Sequence, residues 1–188
     1  VILAGSTHEG EEKIIIETFL QLKTKYKQLK LIIAPRHPER FKDVENLFLS
    51  MKICYGKRSK SAEVKDVYLL DTIGELFSCY NVCDIAFVGG SLVDVGGHNI
   101  LEPAYFGKPV VFGRYMHNFK DIRDEFLKNE AGFEVDVDNL SRTFEKMICD
   151  KELLSEMGKR SKAIVNNNRG SLSKTLDLIR EILTNVRK

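Results

Sequence analysis

Residues 87–111, FVGGSLVDVGGHNILEPAYFGKPVV, constrain the fold more than any other stretch of the chain. An apolar strand gives way to two glycine pairs, Gly89-Gly90 and Gly96-Gly97. A helix then starts at Asn99, and a second strand starts at Val110. Strand, glycine-rich turn and helix start in that order form an arrangement that holds a phosphate. N–H groups at a helix start lack intrahelical partners and carry partial positive charge, and glycine lets the backbone approach a ligand with φ positive. The expectation is a nucleotide or sugar-phosphate site.

The rest of the chain alternates short apolar runs with stretches of helical period. Strands are expected near Val1–Ala4, Leu31–Ala34, Lys52–Cys54, Val67–Leu69, Ile85–Val88 and Val110–Phe112, with helices near Glu11–Lys27, Pro38–Leu49, Ile73–Cys79 and Ile100–Phe106. Val- and Ile-rich strands without polar alternation suit a parallel sheet covered on both faces, joined by right-handed crossovers. Beyond Phe112 the pattern predicts a helix at Asn118–Asn129, a strand near Phe133–Val135, and helices at Leu140–Cys149, Lys151–Val165 and Ser171–Val186. Asp138-Asn139 and Asn166–Asn168 read as breaks or caps, and Gly170 as the separator of the last two helices. The expected fold is α/β: one Rossmann-like parallel sheet domain over residues 1–188, flanked by helices, with a helical tail from about 139 to 188.

A length of 188 residues suits one large domain or one half of a two-domain enzyme. The net charge of +2 is too slight to argue for nucleic acid. The one dense basic run, Lys57-Arg58-Ser59-Lys60, reads as a solvated loop or as a contact for an acidic substrate. Cys54, Cys79, Cys83 and Cys149 show no metal-ligand spacing and fit reduced thiols, with Cys79 and Cys83 sharing an inward helix face. No apolar run reaches the roughly 18 residues of a membrane span, and no signal peptide is present. Val1-Ile2-Leu3-Ala4 opens as a strand already under way, so a truncated N-terminus is expected.

In an open parallel sheet, ligands sit beyond the carboxyl ends of the strands. The segments that follow the expected strands are Gly5–Gly10, Pro35–Pro38, Asp71–Glu75, Gly89–Asn99 and Gly113–Asn118. All four histidines, His8, His37, His98 and His117, fall within them. Each feature has a structural reading beside a functional one. Ser6 or Thr7 can simply cap a helix, and so can the Asp71–Glu75 segment. Arg36, set between turn residues, suits phosphate or carboxylate recognition but also an ordinary ion pair. Asn99 and Glu102 form an Asn version of the capping box; alternatively the Glu102 carboxylate accepts from two ribose hydroxyls while N–H groups of Gly97, His98 and Asn99 hold a phosphate. Neither a P-loop, nor a G-x-G-x-x-G after the first strand, nor a G-x-S-x-G elbow is present.

Gly-Gly-Ser, Asn-x-x-Glu-Pro-Ala and Gly-Lys-Pro-Val resemble the nucleotide-binding half of GT-B glycosyltransferases. Three segments narrow the likeness: Ala4–Glu12 (AGSTHEGEE), Ala34–Phe41 (APRHPERF) and Gly96–Asn99 (GGHN). Together they closely resemble 3-deoxy-D-manno-octulosonic acid (Kdo) transferases, in order from Val1 through Val111 and more loosely beyond. The resemblance implies the C-terminal, donor-binding half of a GT-B fold, in an inverting enzyme that moves Kdo from CMP-Kdo to a lipid A precursor in lipopolysaccharide synthesis. It also implies work at the cytoplasmic face of the inner membrane, with no cofactor or required metal. The acceptor domain, the general base and the membrane attachment belong to an N-terminal part outside this sequence, so the isolated chain is expected to bind donor but not transfer.

On this resemblance Arg36 and the Gly97–Asn99 turn hold the CMP phosphate, Glu102 takes the ribose, and backbone near Ile73 and Gly74 reads the cytosine. Ser6, His8 and His117 lie near the sugar or its carboxylate, and His37 is counted with the substrate-binding residues. No partner nucleic acid is implied. Alternatives open at this point are a UDP-sugar glycosyltransferase, a UDP-sugar 2-epimerase domain, or a non-catalytic nucleotide-binding module.

Overall fold

The computed structural model describes residues 1–60 and 65–186, with side chains described up to residue 168. Seven strands form one wholly parallel sheet: β1 (Ile2–Thr7), β2 (Leu31–Pro35), β3 (Tyr55–Lys57), β4 (Val67–Leu69), β5 (Ile85–Val88), β6 (Val110–Gly113) and β7 (Gly132–Val135), in the order β3-β4-β2-β1-β5-β6-β7. The helices are α1 (Glu11–Lys25), α2 (Phe41–Ser50), α3 (Leu76–Cys79), α4 (Leu101–Tyr105), α5 (Lys120–Lys128), α6 (Val137–Cys149) and α7 (Lys151–Val186).

The strands are apolar because both sheet faces are covered, and their side chains alternate between two helical layers. Phe87 and Val111 pack with Ile15, Phe19, Phe48 and Phe144 on one face. Their neighbours Val88, Val110 and Phe112 pack with Ile100, Phe126 and Ile164 on the other. The strand order reverses direction between β1 and β5, which places the crevice of an open α/β sheet at their carboxyl ends. Both glycine pairs and the Ser6–Gly10 loop emerge there.

Several boundaries differ from the sequence reading, each for a local reason. The strand expected at Lys52–Cys54 lies at Tyr55–Lys57. The N–H groups of Met51, Lys52 and Ile53 turn back onto α2 carbonyls, and Lys52 takes a positive φ of 56°, so those residues end the helix instead. Pro38–Arg40 forms a 3₁₀ turn ahead of α2. The helix expected from Ile73 starts at Leu76, because Gly74 takes a φ of 85° and holds the preceding chain out of helical geometry. Cys83 therefore lies beyond the helix and is buried, while Cys79 is half-buried; both border the small cluster of Leu3, Tyr80 and Ala86. The helix expected at Leu140 starts at Val137, since Asp136 and Asn139 cap each other reciprocally at 3.0 and 3.1 Å.

Gly170 does not separate two helices: α7 runs unbroken through it to Val186. One helical glycine costs only about 1 kcal/mol against alanine, which neighbouring turns absorb. The last two residues of the expected tail lie outside the described residues. The basic run ends in an exposed turn, Arg58–Lys60, as the solvated-loop reading expects, but its first two cations are committed to ion pairs. Lys57 pairs with Glu45 at 3.0 Å and Asp71 at 3.4 Å, and Arg58 grips both oxygens of Glu75 at 2.9 and 3.1 Å. Among the described residues no helix is long and apolar enough to cross a membrane.

Candidate functional site

The carboxyl ends of β1 and β5 touch. Ser6 takes a positive φ of 55°, and a Cβ added to Gly89 would lie 2.5 Å from the Ser6 carbonyl oxygen, so this approach requires glycine. Across the same junction runs Glu11, the first residue of α1, with its side chain fully buried. Its Oε2 accepts from the N–H groups of His8 (2.9 Å) and Gly90 (2.7 Å), and its Oε1 from those of Ser91 (3.0 Å) and Leu92 (2.9 Å). An ionised carboxylate, an acceptor with four lone-pair positions, suits that set of donors. Burial pushes the carboxyl above its ordinary range, and the four donors oppose the shift. The first glycine turn is thus filled by an anion of the protein itself.

The second turn is built differently. Gly96 and Gly97 have φ of 104° and 77°, and a Cβ on Gly97 would lie 2.2 Å from the Met116 sulfur. The Gly97 N–H donates to the Gly90 carbonyl at 2.7 Å, tying the second turn to the first. Asn99 Oδ1 accepts from the Leu101 N–H at 3.1 Å, and the Glu102 N–H reaches the Asn99 carbonyl at 3.4 Å. The reciprocal box expected of Asn99 and Glu102 is therefore replaced by a shorter side-chain cap. Between them, the N–H groups of His98, Asn99 and Ile100 carry no hydrogen bond among the described residues. Because α4 has only five residues, its macrodipole adds little; these donors act through direct contact.

A cavity of 380 Å³ opens beside His98 and Asn99, walled by these two and by Ser6, Arg36, Gly74 and Glu102 together with the buried Tyr80 ring. A second hollow of 100 Å³ shares Ser6, Arg36 and Gly74 and extends to Ile73. The two arginines of this region behave oppositely. Arg40 is committed to Glu12 at 3.2 Å, Asp43 at 3.3 Å and Glu9 at 3.6 Å. Arg36 makes no ion pair among the described residues, and its backbone N–H is anchored on the Thr7 carbonyl at 3.0 Å. The alternative of a structural ion pair for Arg36 is thereby set aside. Glu102 is half-buried; burial pushes its carboxyl up, while Arg36 and the Asn99 side chain pull it down. A larger cavity of 680 Å³ lies at the opposite end of the strands, around Val1, Leu29 and Ile85, with chiefly apolar walls.

Three imidazoles stand beside Arg36. His8 and His98 have near-parallel rings whose centroids are 5.0 Å apart and whose Nε2 atoms meet at 2.7 Å, and His37 meets His8 edge-on at 5.5 Å. Burial first, then the neighbouring imidazoles and Arg36, push His98 down to about 4 and His8 below its ordinary range. Among the described residues no group of three His, Cys, Asp or Glu is placed to hold a metal ion.

No protein-family model matches the sequence. The chain is 40% identical over 186 residues to the 3-deoxy-D-manno-octulosonic acid transferase of Haemophilus influenzae, covering 96% of this chain and 44% of that protein. Against the enzyme of the same name from Aquifex aeolicus it is 39% identical over 159 residues, covering 82% of this chain and 44% of that protein. The crystal structure of the C-terminal CMP-Kdo binding domain of WaaA from Acinetobacter baumannii matches with a TM-score of 0.82 at 31% identity, covering 87% of this chain and 88% of that one. The chain belongs to the Kdo transferase family. It spans less than half the length of those two curated Kdo transferases.

The Kdo transferase resemblance named Ser6, Arg36, Gly74, His98, Asn99 and Glu102, and all of them wall the 380 Å³ cavity; Ile73 walls the 100 Å³ hollow beside it. His8 and His37 stand one step behind, in the imidazole cluster. Gly97 lies beneath the turn with its N–H already used, so the donors left for a ligand are those of His98, Asn99 and Ile100. His117 sits outside the walls of both hollows, beyond Gly96, with Nδ1 3.7 Å from Asp94. Glu11 and Tyr80 were not singled out by the sequence. An acid in the first turn of a helix ordinarily serves the dipole, and nothing in the local pattern signals a reach of 79 residues to Gly90.

Proposed function

We propose that this chain is the donor-binding half of an inverting glycosyltransferase that moves Kdo from CMP-Kdo to a hydroxyl of a lipid A precursor, a step of lipopolysaccharide synthesis. The observation that carries the reading is the convergence of one uncommitted guanidinium, Arg36, two residues with unpaired N–H groups, His98 and Asn99, and one half-buried carboxylate, Glu102, on a single cavity at the sheet's switch point. Family membership, and the CMP-Kdo binding named for the Acinetobacter domain, supply the substrate.

In this reading the phosphate of the donor lies between Arg36 and the His98–Ile100 donors, where charge-assisted hydrogen bonds are stronger than neutral ones. Glu102 accepts from the ribose hydroxyls, and the cytosine turns toward the hollow beside Ile73 and Gly74. As the bond from the sugar to the phosphate breaks, negative charge grows on the departing CMP; fixed donors already aimed at that phosphate stabilise it without reorganising. No cofactor or resident metal is assigned, since Arg36 and backbone donors supply the positive charge. The general base, the acceptor site and the membrane contact are assigned to the N-terminal domain of the full-length protein, whose closure over this half would bring acceptor and donor together at the cytoplasmic face of the inner membrane. Nucleic acid is not among the proposed partners.

Calorimetric titration of the domain with CMP, UMP and UDP tests the assignment. CMP binding tighter than UMP binding, and weakened about tenfold or more in Arg36→Ala and Glu102→Ala, is the expected result. Tighter UDP binding would move the domain to the UDP-sugar enzymes. Transfer of Kdo by residues 1–188 alone would contradict the division of labour.

A further inference from the structure

His8 and His98 are 90 residues apart in sequence, one in the loop after β1 and one on the second glycine turn, yet their Nε2 atoms lie 2.7 Å apart. Two imidazoles meet at that distance as a hydrogen bond only when one Nε2 carries a hydrogen and the other offers its lone pair. The pair is held by the framework. Both rings lie over Gly90, where an added Cβ would come 3.0 Å from His98 and 3.4 Å from His8, and the Gly90 N–H is itself fixed on Glu11.

The number of protons the pair can hold follows from that contact. In the neutral pair the donor ring has an Nε2–H and a bare Nδ1. One more proton fits on that Nδ1 and turns the contact into a charge-assisted hydrogen bond. A second added proton would set two N–H groups against each other. The two rings therefore titrate as one unit with room for a single positive charge.

The groups facing the pair decide when that charge is tolerated. Arg36 and His37 come from the loop after β2, with His37 edge-on to His8. Arg40 also acts on His8, but Glu9, Glu12 and Asp43 answer its charge. Glu11 is saturated by backbone donors, and Glu102 lies across the cavity beside Asn99. Partial burial and the uncompensated Arg36 both work against a cation, and both rings are pushed below the ordinary histidine range. A negative charge placed against Arg36 and the His98 backbone reverses that field. An opposite charge within about 4–6 Å moves a titratable group by roughly 1–3 units toward its charged form.

We propose that the His8–His98 pair is a proton-uptake element of the anion site, uncharged in the free protein and taking up one proton when the nucleotide phosphate binds beside Arg36. This rests on the nucleotide reading given above. The pair thereby adds a second positive charge only when a phosphate is present to meet it. The free site avoids the cost of two adjacent cations, and affinity becomes coupled to pH.

The test uses the methyl phosphodiester of CMP, whose single charge does not titrate near neutrality, and the domain at pH 6.0. A unit of this family has been crystallised as a separate C-terminal domain, and the present chain covers 88% of it. Long-range proton–nitrogen spectra of the four histidine rings report tautomer and charge directly. The expected result is that His8 and His98 show complementary neutral patterns in the free protein, that one of them converts to the imidazolium pattern at saturation, and that His117 does not change. Affinity should rise about fivefold between pH 7.5 and 6.0, as uptake of about half a proton across that interval requires, and the rise should vanish in the double variant His8→Gln/His98→Gln. A pair that stays neutral in the saturated complex, or that is already charged without ligand, overturns the proposal even though the nucleotide binds. Failure of any cytidine nucleotide to bind overturns the nucleotide reading and this proposal with it.

Discussion

The two glycine turns beyond β5 carry the same local chemistry and are used in opposite ways. At the first, the Gly90, Ser91 and Leu92 N–H groups close on the buried Glu11 carboxylate. At the second, the His98, Asn99 and Ile100 N–H groups have no partner among the described residues, and His98 and Asn99 line a cavity. A run of exposed backbone donors is an anion site, and an anion from the chain satisfies it as well as one from solution. The first turn is therefore scaffold and the second is receptor. The Gly97 N–H bond to the Gly90 carbonyl makes the receptor's geometry depend on the scaffold's.

The comparison breaks most visibly if Glu11 is removed. Glu11→Ala leaves four backbone donors unpaired, and each buried donor left so costs about 1–3 kcal/mol. A loss of about 3 kcal/mol or more is expected in urea unfolding, with Glu11→Gln falling between variant and wild type because its amide keeps one accepting oxygen. A loss under about 1 kcal/mol would mean the first turn is not held by its carboxylate.

Arg36→Ala should do the reverse. With no ion pair to lose, stability should change by less than about 0.5 kcal/mol, while CMP affinity should fall roughly 10- to 100-fold, as loss of a charge-assisted hydrogen bond implies. Equal loss of stability and binding would erase the distinction between scaffold and receptor. Glu102→Ala should weaken CMP by about tenfold, corresponding to one or two lost hydrogen bonds, and should weaken a 2′,3′-dideoxy analogue far less. Similar losses for both ligands would return Glu102 to a purely capping role.

The smallest expected effect is on the pH dependence of stability. His98 is held at about 4 in the folded protein, below its ordinary value of 6.5, so the folded state binds this proton less readily than the unfolded chain. Its contribution is present above about pH 6.5 and is lost as pH falls toward 4. His98→Gln should flatten the fall in melting temperature across that window, and an unchanged slope would show that other groups carry it.

The receptor was more legible in the sequence than the scaffold. Arg36 and Asn99 stand in turns after strands and Glu102 in the first turn of the short helix that follows, where side chains without a packing role are conspicuous. The parallel sheet was legible in its unbroken Val and Ile runs, such as Ile85–Val88. Glu11 was not legible, because its partners are backbone groups far along the chain and backbone groups leave no mark in a sequence. The His8–His98 contact was hidden for a related reason: it depends on two loops meeting over Gly90. At Lys52 the left-handed end of α2 moved a strand by three residues, and at Gly170 the helix simply continued. In both places the surrounding hydrogen bonds outweighed a weak local preference.

Residue-resolved amide hydrogen exchange, with and without CMP, tests the division between the turns most directly. In the free protein the Gly90, Ser91 and Leu92 amides should exchange slowly and those of His98, Asn99 and Ile100 quickly. CMP should slow the second set and leave the first unchanged. Protection by CMP appearing at Gly90–Leu92, with none at His98–Ile100, would contradict the account.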